Sequence, residues 1–272
     1  MLHNNTSSFV HCSVAVKQTP HMPPIHKFLA IETSTSPGSV IAGTLSSDHA
    51  EKPEKGGLKN FLLQESQLPE EGGQGRNLMP TLVAIIESSG WSLNEVDLVI
   101  AATGPGPFTG LRVGVTTAKA LAWTNDCALV GVPTASCLAT QAVAECGLRD
   151  EVEVIFDAGR GELYAVTASR LTDSLIWTIS QGKLRTPNEW RETLPPNALV
   201  TGPGLAMQHD SIQQLVDAPG TLRVPASAAW YPHAHTVSAI GLATFEKGRT
   251  TSPVQLTPSY FRASYAEDRS RP

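Results

Sequence analysis

The sequence predicts a mixed α/β protein made of two related halves, and three observations carry that prediction. Short apolar runs with strand character open the folded part in succession. A helix–strand–helix–strand–helix alternation follows them, the order that lays helices on a sheet. An apolar run ending in an acid then occurs twice, as Phe28-Leu-Ala-Ile-Glu32 and Val152-Glu-Val-Ile-Phe-Asp157. Each is followed by a turn and a returning run.

The folded part begins at Lys27. Residues 1–26 mix His3, His11, His21 and His26 with Pro20, Pro23 and Pro24 and show no sustained period. With neither an apolar core nor a small-residue cleavage site, they read as a disordered tail or an over-long start rather than a secretory signal. Phe28–Thr33 and Ser39–Leu45 are two strands of a hairpin joined by a polar turn. Asp48–Gly57 reads as a charged loop, Leu58–Leu68 as a third strand and Pro69–Gly75 as another loop. Leu78, Leu82, Ile85 and Ile86 recur at helical spacing, with Pro80 in the first turn and Gly90 closing the end. A strand at 96–102, a helix at 111–123, a strand at 128–132 and a helix at 134–145 follow. The second half predicts a strand at 152–157, a turn at 158–161 and a return at 162–168. Prolines 187, 195, 196, 203 and 225 then punctuate short elements, before a helix at 237–247 and a charged end. The resulting division is a tail 1–26, a first half 27–148, a second half 149–265 and a tail 266–272.

The most informative stretch is Thr103-Gly-Pro-Gly-Pro-Phe-Thr-Gly-Leu-Arg-Val-Gly114, which joins the strand at 96–102 to the next helix. Gly104, Gly106 and Gly110 let backbone approach whatever lies above the loop, and the helix behind it starts with orphan N–H donors. The loop is not a Walker loop, because no Lys-Ser or Lys-Thr pair follows. It is not the dinucleotide fingerprint either, since Gly110 falls one residue late. Two readings stay open from the loop alone: an anion or nucleotide site at Gly104, Gly106 and Gly110, or a tight turn with no ligand.

Composition narrows the classes further. The 272 residues are 41% hydrophobic and 17% charged, as in an ordinary globular protein. A net charge of −5 argues against gripping nucleic acid through phosphate contacts. No apolar run reaches membrane-spanning length. Cys12, Cys127, Cys137 and Cys146 show no Cys-x-x-Cys spacing, which fits reduced thiols in a cytoplasm.

Several segments, taken in order, resemble the TsaB/YeaZ family over about residues 27–262. They are Phe28–Thr35, Gly104–Gly114, Ala118–Ala122, Gly131–Thr134, Asp157-Ala-Gly-Arg-Gly-Glu-Leu-Tyr164 and Pro258-Ser-Tyr-Phe-Arg262. The resemblance implies an actin-like ATPase (ASKHA) fold of two ribonuclease-H-like halves with mixed sheets. It also implies a cytoplasmic, non-catalytic role in threonylcarbamoyladenosine (t6A) modification of adenosine 37 in tRNAs reading ANN codons. The implied partner is the catalytic subunit TsaD, with TsaE joining through the complex, a homodimer as another use of the same surface, and tRNA contacted only indirectly. No cofactor is required on this reading, although weak nucleotide binding at the glycine loop is compatible with it. The family surface that docks TsaD or a second copy maps to Leu78, Leu82, Ile86, Val113, Thr117 and Leu121, where charge is expected to abolish association and leave the monomer folded. TsaD itself carries a metal-binding His-x-x-x-His pair after the next strand; the equivalent stretch here, Val130–Cys137, has no histidine. Gln74 stands where many family members have a histidine. The reading from another class is a stand-alone ASKHA ATPase or a glycoprotease-like hydrolase, and a third is a homodimeric regulator with a small ligand at the glycine loop.

Other candidates weigh differently. Glu32 and Asp157 each end the first strand of a half, so they are either metal-associated carboxylates or turn caps; a lone carboxylate holds Mg²⁺ weakly without phosphate. Arg112, in the first turn of a helix, opposes the helix dipole and is expected either to bind an acidic group of a partner or to pair with Glu32 or Asp157 of its own chain. His233 and His235 have a metal-like spacing without an evident third ligand, and Thr201-Gly-Pro-Gly204 is a short echo of a glycine-rich nucleotide motif.

Overall fold

Lys27–Glu32 (β1) is the middle strand of a five-stranded sheet in the computed structural model of the chain, and its burial on both sides puts it there. The structure describes residues 25–45, 61–170, 174–207, 210, 212, 214 and 222–261; the expected loop Asp48–Gly57 and the tail 266–272 lie outside them. Successive side chains of a strand point to opposite faces. Leu29 and Ile31 therefore enter one apolar cluster, and Phe28 and Ala30 the other. The sheet adds Ser39–Leu45 (β2), Phe61–Gln67 (β3), Leu98–Ala102 (β4) and Ala128–Val132 (β5) in the order β3-β2-β1-β4-β5. The first three form an antiparallel meander, whereas β4 and β5 run parallel to β1.

Gly73–Ser88 (α1) and Phe108–Thr124 (α2) cover the face that carries Leu29 and Ile31. Both start earlier than their apolar periods suggest. The turn before α1 is tied by the Asn77 amide, which donates to the carbonyls of Pro69 and Glu71. Pro80 consequently falls in the second turn and removes one helical hydrogen bond. Pro107 supplies the extended N-cap backbone of α2, and Leu111 N–H donates to its carbonyl at 3.1 Å.

The second sheet holds Glu151–Asp157 (β6), Leu163–Ser169 (β7), Thr178–Ile179 (β8), Lys183–Arg185 (β9) and Val200–Thr201 (β10). Its order is β10-β6-β7-β8, with β9 also on β7. The β6–β7 hairpin repeats the antiparallel β1–β2 hairpin, and β10 stands parallel to β6 as β4 does to β1. The resemblance between the two strand openings thus extends to pairing and direction.

The linear division at 148/149 separates the sheets but not the helices. Thr134–Cys146 (α3), from the first half, packs Leu138 and Ala142 against Val152, Val154 and Phe156 of the second sheet. Ala234–Glu246 (α5) returns from the second half and lays Val237, Ile240 and Phe245 on the first sheet beside Phe28, Ile41 and Ile100. Each sheet is apolar on both faces, so a helix from the other half covers the face its own helices leave open. Pro187–Glu192 (α4) covers the remaining face of the second sheet through the fully buried Trp190. After α5 the chain runs along β5, where Thr251 N–H donates to Leu129 O, and reaches the glycine loop, where Ser259 N–H donates to Thr103 O at 2.7 Å.

Candidate functional site

The ends of β1 and β6 are built alike. Glu32 Oε1 accepts the Ser34 N–H at 2.6 Å, and Asp157 Oδ1 accepts the Gly159 N–H at 2.7 Å. Each acid caps the turn that follows it, two residues on. Their surroundings differ. Asp157 is exposed, whereas Glu32 is fully buried and also accepts from the hydroxyls of Ser34 and Thr35. Those donors favour the ionised form, but burial outweighs them and pushes the Glu32 carboxyl from 4.5 to about 7. Glu32 is thus a cap, as one reading had it, but an interior one rather than a surface acid.

The three loop glycines meet the chain's own backbone. A Cβ on Gly104 would overlap Ser259 O, one on Gly106 would overlap Ser34 O, and one on Gly110 would overlap both Thr33 O and the Gln74 side chain. All three are buried. The close approach that these residues permit is therefore spent on the β1–β2 turn and the C-terminal segment. A second loop of the same kind follows β10. Thr201-Gly-Pro-Gly204 repeats Thr103-Gly-Pro-Gly106 residue for residue, with φ of +115° at Gly202 and +103° at Gly104. A Cβ on Gly202 would overlap Ile155 O of β6. The repeated tetrapeptide is the sequence signal that the two halves are equivalent here.

Four of the six residues expected at a partner surface point inward. Leu78, Leu82, Ile86 and Leu121 belong to the core cluster over β1 and β4, at 9% exposure or less. The other two are half-buried: Val113 packs on the same cluster and against Gly75 of α1, and Thr117 is partly exposed on α2. The periodicity of α1 marks its sheet-facing stripe, because a two-sided sheet needs it there. Charge at Ile86 would consequently unfold the chain rather than merely block association. The outer side of the pair presents Met79 at 41% exposure, Thr116, Ala120, and Trp123 at 70%. Gly75 and Val113 bring the two helices together, with the Val113 methyl 3.5 Å from where a Gly75 Cβ would stand.

Arg112 pairs with neither Glu32 nor Asp157. Its guanidinium lies 3.9 Å over the Phe108 ring, and its Nε–H points to the Tyr260 hydroxyl at 3.4 Å. Gln74 donates from its amide to Thr35 O and packs on Gly110, stitching the start of α1 to the β1–β2 turn. His233 serves as the N-cap residue of α5, with its ring Nε2 3.3 Å from Ala228 O. Among the described residues no group of three His, Cys, Asp or Glu side chains is placed to hold a metal ion. Cys127, Cys137 and Cys146 are free thiols, and burial pushes Cys127 up to about 11 and Cys137 well above its usual range. Cys12 lies outside the described residues. At the start of α3, Thr134 and Cys137 are fully buried, and the Thr134 hydroxyl has no hydrogen-bond partner.

Between the halves the two matching turns face each other across a cleft of about 510 Å³. Its walls are Ser34–Ser36, Gly106–Phe108, Phe156–Gly159, Pro203, Tyr231 and Phe261. The C-terminal segment bridges its mouth, with Tyr260 packed on Phe108 at a ring separation of 4.7 Å and Phe261 on Tyr164 at 5.8 Å.

Comparison with known proteins is consistent with this geometry. A family model described as TsaD: tRNA N6-adenosine threonylcarbamoyltransferase matches residues 73–181. The tRNA threonylcarbamoyladenosine biosynthesis protein TsaB of Bacillus subtilis is 28% identical over 193 residues, covering 70% of this chain and 80% of that protein. The protein of the same name from Escherichia coli is 27% identical over 197 residues, covering 70% and 81%. Among solved structures, YeaZ from Pseudomonas aeruginosa superposes with a TM-score of 0.64 at 21% identity, covering 87% of this chain and all of that one. A further Pseudomonas aeruginosa structure, described as an uncharacterized protein with similarity to peptidase YeaZ, gives 0.64 at 22% identity over 88%. The two mixed sheets with their interleaved helices are the actin-like (ASKHA) fold of those neighbours.

Proposed function

The chain belongs to the TsaB/YeaZ family, and from that premise we propose that it is a non-catalytic subunit that docks and activates TsaD for t6A synthesis on ANN-decoding tRNAs. The observation that carries this reading is the filled glycine loop. Gly104, Gly106 and Gly110 hold the β1–β2 turn and the C-terminal segment rather than leaving their amides around an open anion site. The loop then acts as a structural wedge that sets α2 beside α1, and the paired helices become the working surface. Leu78, Leu82, Ile86 and Leu121 brace that surface from below. Met79, Val113, Thr117 and Trp123 are the groups it offers to TsaD, apart from the small residues between them. Exposed aromatic and Met side chains beside small residues suit a packed helical interface.

The absence of a histidine pair in Val130–Cys137 supports a partner role over a catalytic one. TsaE joins through TsaD, a homodimer competes for the same helices, and a chain of net charge −5 leaves tRNA to its partners. The cytoplasm, where tRNA is modified, is the compartment this role requires; no helix among the described residues is long and apolar enough to cross a membrane. The test is light scattering of the purified chain mixed with TsaD from its own organism, with and without ATP. A one-to-one complex is expected, lost in Met79→Glu and Thr117→Arg variants whose circular dichroism is unchanged. A chain that stays alone, or variants that still co-elute with TsaD, would sink the proposal.

A further inference from the structure

The cleft between the halves has a chemistry of its own. At about 510 Å³ it falls within the usual range for small-molecule sites, roughly 300–1,000 Å³. Among the described residues four rings line it: Tyr231, Phe261 from the C-terminal segment, Phe108 from the head of α2, which already carries Arg112, and Phe156 from β6, whose ring is largely in the core. One carboxylate, Asp157, stands at its wall. Asp157 Oδ1 takes the Gly159 N–H, and no cation pairs with this acid among the described residues. Among the described residues that line it, none is a lysine, arginine or histidine. Arg160 follows Gly159 in the turn and Arg112 lies on Phe108, but neither lines the cavity.

From these groups we propose that the cleft is a binding site for a flat cation bearing N–H donors, of amidine or guanidine chemistry. Ring faces attract cations through their quadrupole, and a carboxylate that still has an open oxygen accepts two parallel N–H donors. The chain already uses this pairing at the rim, where Arg112 stacks on Phe108 and reaches the Tyr260 hydroxyl. The exposed Ser36 hydroxyl accepts from or donates to whatever the cation carries, whereas the Ser34 hydroxyl already donates to Glu32. A phosphate fits poorly: it would meet Asp157 with no lining cation among the described residues to offset it. The site is independent of the α1–α2 surface and makes no use of TsaD.

Titration calorimetry on the full chain tests this with three isosteres of one shape, benzamidine, benzamide and benzoate, and with inorganic pyrophosphate. Benzamidine is expected to bind at least tenfold more tightly than benzamide, with benzoate and pyrophosphate weaker still. Asp157→Asn, which keeps an oxygen for Gly159 N–H, should bring benzamidine down to the level of benzamide. Tyr231→Ala, at a ring already 37% exposed, should weaken benzamidine several-fold; thermal melts of both variants check that they remain folded. N-acetylarginine amide separates two sources of the same group. Binding as tight as benzamidine would assign the cleft to an arginine side chain of a partner protein, whereas failure to bind beside a tight benzamidine would assign it to a free small molecule. Absence of benzamidine binding at millimolar concentration, equal affinity for the three isosteres, an unchanged Asp157→Asn, or a preference for pyrophosphate would each overturn the proposal.

Discussion

Glu32 gives the most exacting test of the structure. Its carboxyl is fully buried, receives the Ser34 N–H and two hydroxyls, and is nonetheless pushed up to about 7 by desolvation. The titratable group that faces it is Cys137, whose thiol sits well above its usual range and stays neutral throughout. In the unfolded chain the carboxyl titrates near 4.5. Between these two values the folded state holds a proton that the unfolded state has released. Stability therefore falls as pH rises from about 4.5 to about 7 and levels off above, the reverse of a salt-bridged acid. A shift of this size corresponds to about 3 kcal/mol, a sizeable share of a typical folding free energy. Glu32→Gln keeps an acceptor for Ser34 and cannot ionise. Urea unfolding of both proteins from pH 5 to pH 8 should show the wild type losing about 2.5 kcal/mol relative to the variant, the rest of the shift falling below pH 5. Glu153, whose partly buried carboxyl is also raised, cancels in the comparison because both proteins carry it. The new amide hydrogens of Gln add a constant offset and no slope. Parallel stability curves for the two proteins would refute the interior, desolvated carboxyl.

Other expectations follow from the packing. Leu82→Ala, at a fully buried position between α1 and the sheet, should cost about 2–5 kcal/mol in urea unfolding, and Ile86→Glu should fail to give a cooperative transition. Gly106→Ala forces a methyl into Ser34 O and should destabilise by about 1–3 kcal/mol. Gly75→Ala meets only the Val113 methyl at ordinary contact distance inside α1, and should raise stability by up to about 1 kcal/mol; equal effects of the two substitutions would contradict the assigned backbone contacts. Cys137, fully buried with a raised thiol, should resist a thiol reagent in native buffer and react in urea, as followed by mass spectrometry.

The α1–α2 face also explains why substitutions chosen from sequence alone mislead. In α1 the strongest apolar stripe is Leu78, Leu82, Ile85 and Ile86, and all four are buried. A helix that must both cover a sheet and meet a partner writes its strongest pattern on the sheet side, where burial on folding selects it. The solvent side keeps Met79 on α1 and, at i, i+4 and i+7 on α2, Thr116, Ala120 and Trp123, a stripe with too little apolar content to stand out in the sequence.

The sequence by itself determined what depends on local spacing. Short apolar runs located β1, β2, β4, β5, β6 and β7, helical periodicity located α1 to within about a turn, and the glycine and proline positions marked the loop before α2. It also held, unread, the repeated Thr-Gly-Pro-Gly that aligns the halves after β4 and β10. Only the tertiary structure decided what depends on residues far apart in the chain. It set α3 on the second sheet and α5 on the first, turned the glycines toward Thr33, Ser34 and Ser259, and closed Glu32 inside while leaving Asp157 in a cleft. The two acids end their strands in the same way and cap the same kind of turn. What separates them is the set of neighbours brought up from elsewhere in the chain, whose desolvation makes Glu32 an interior proton holder while Asp157 stays exposed at the wall of a cleft.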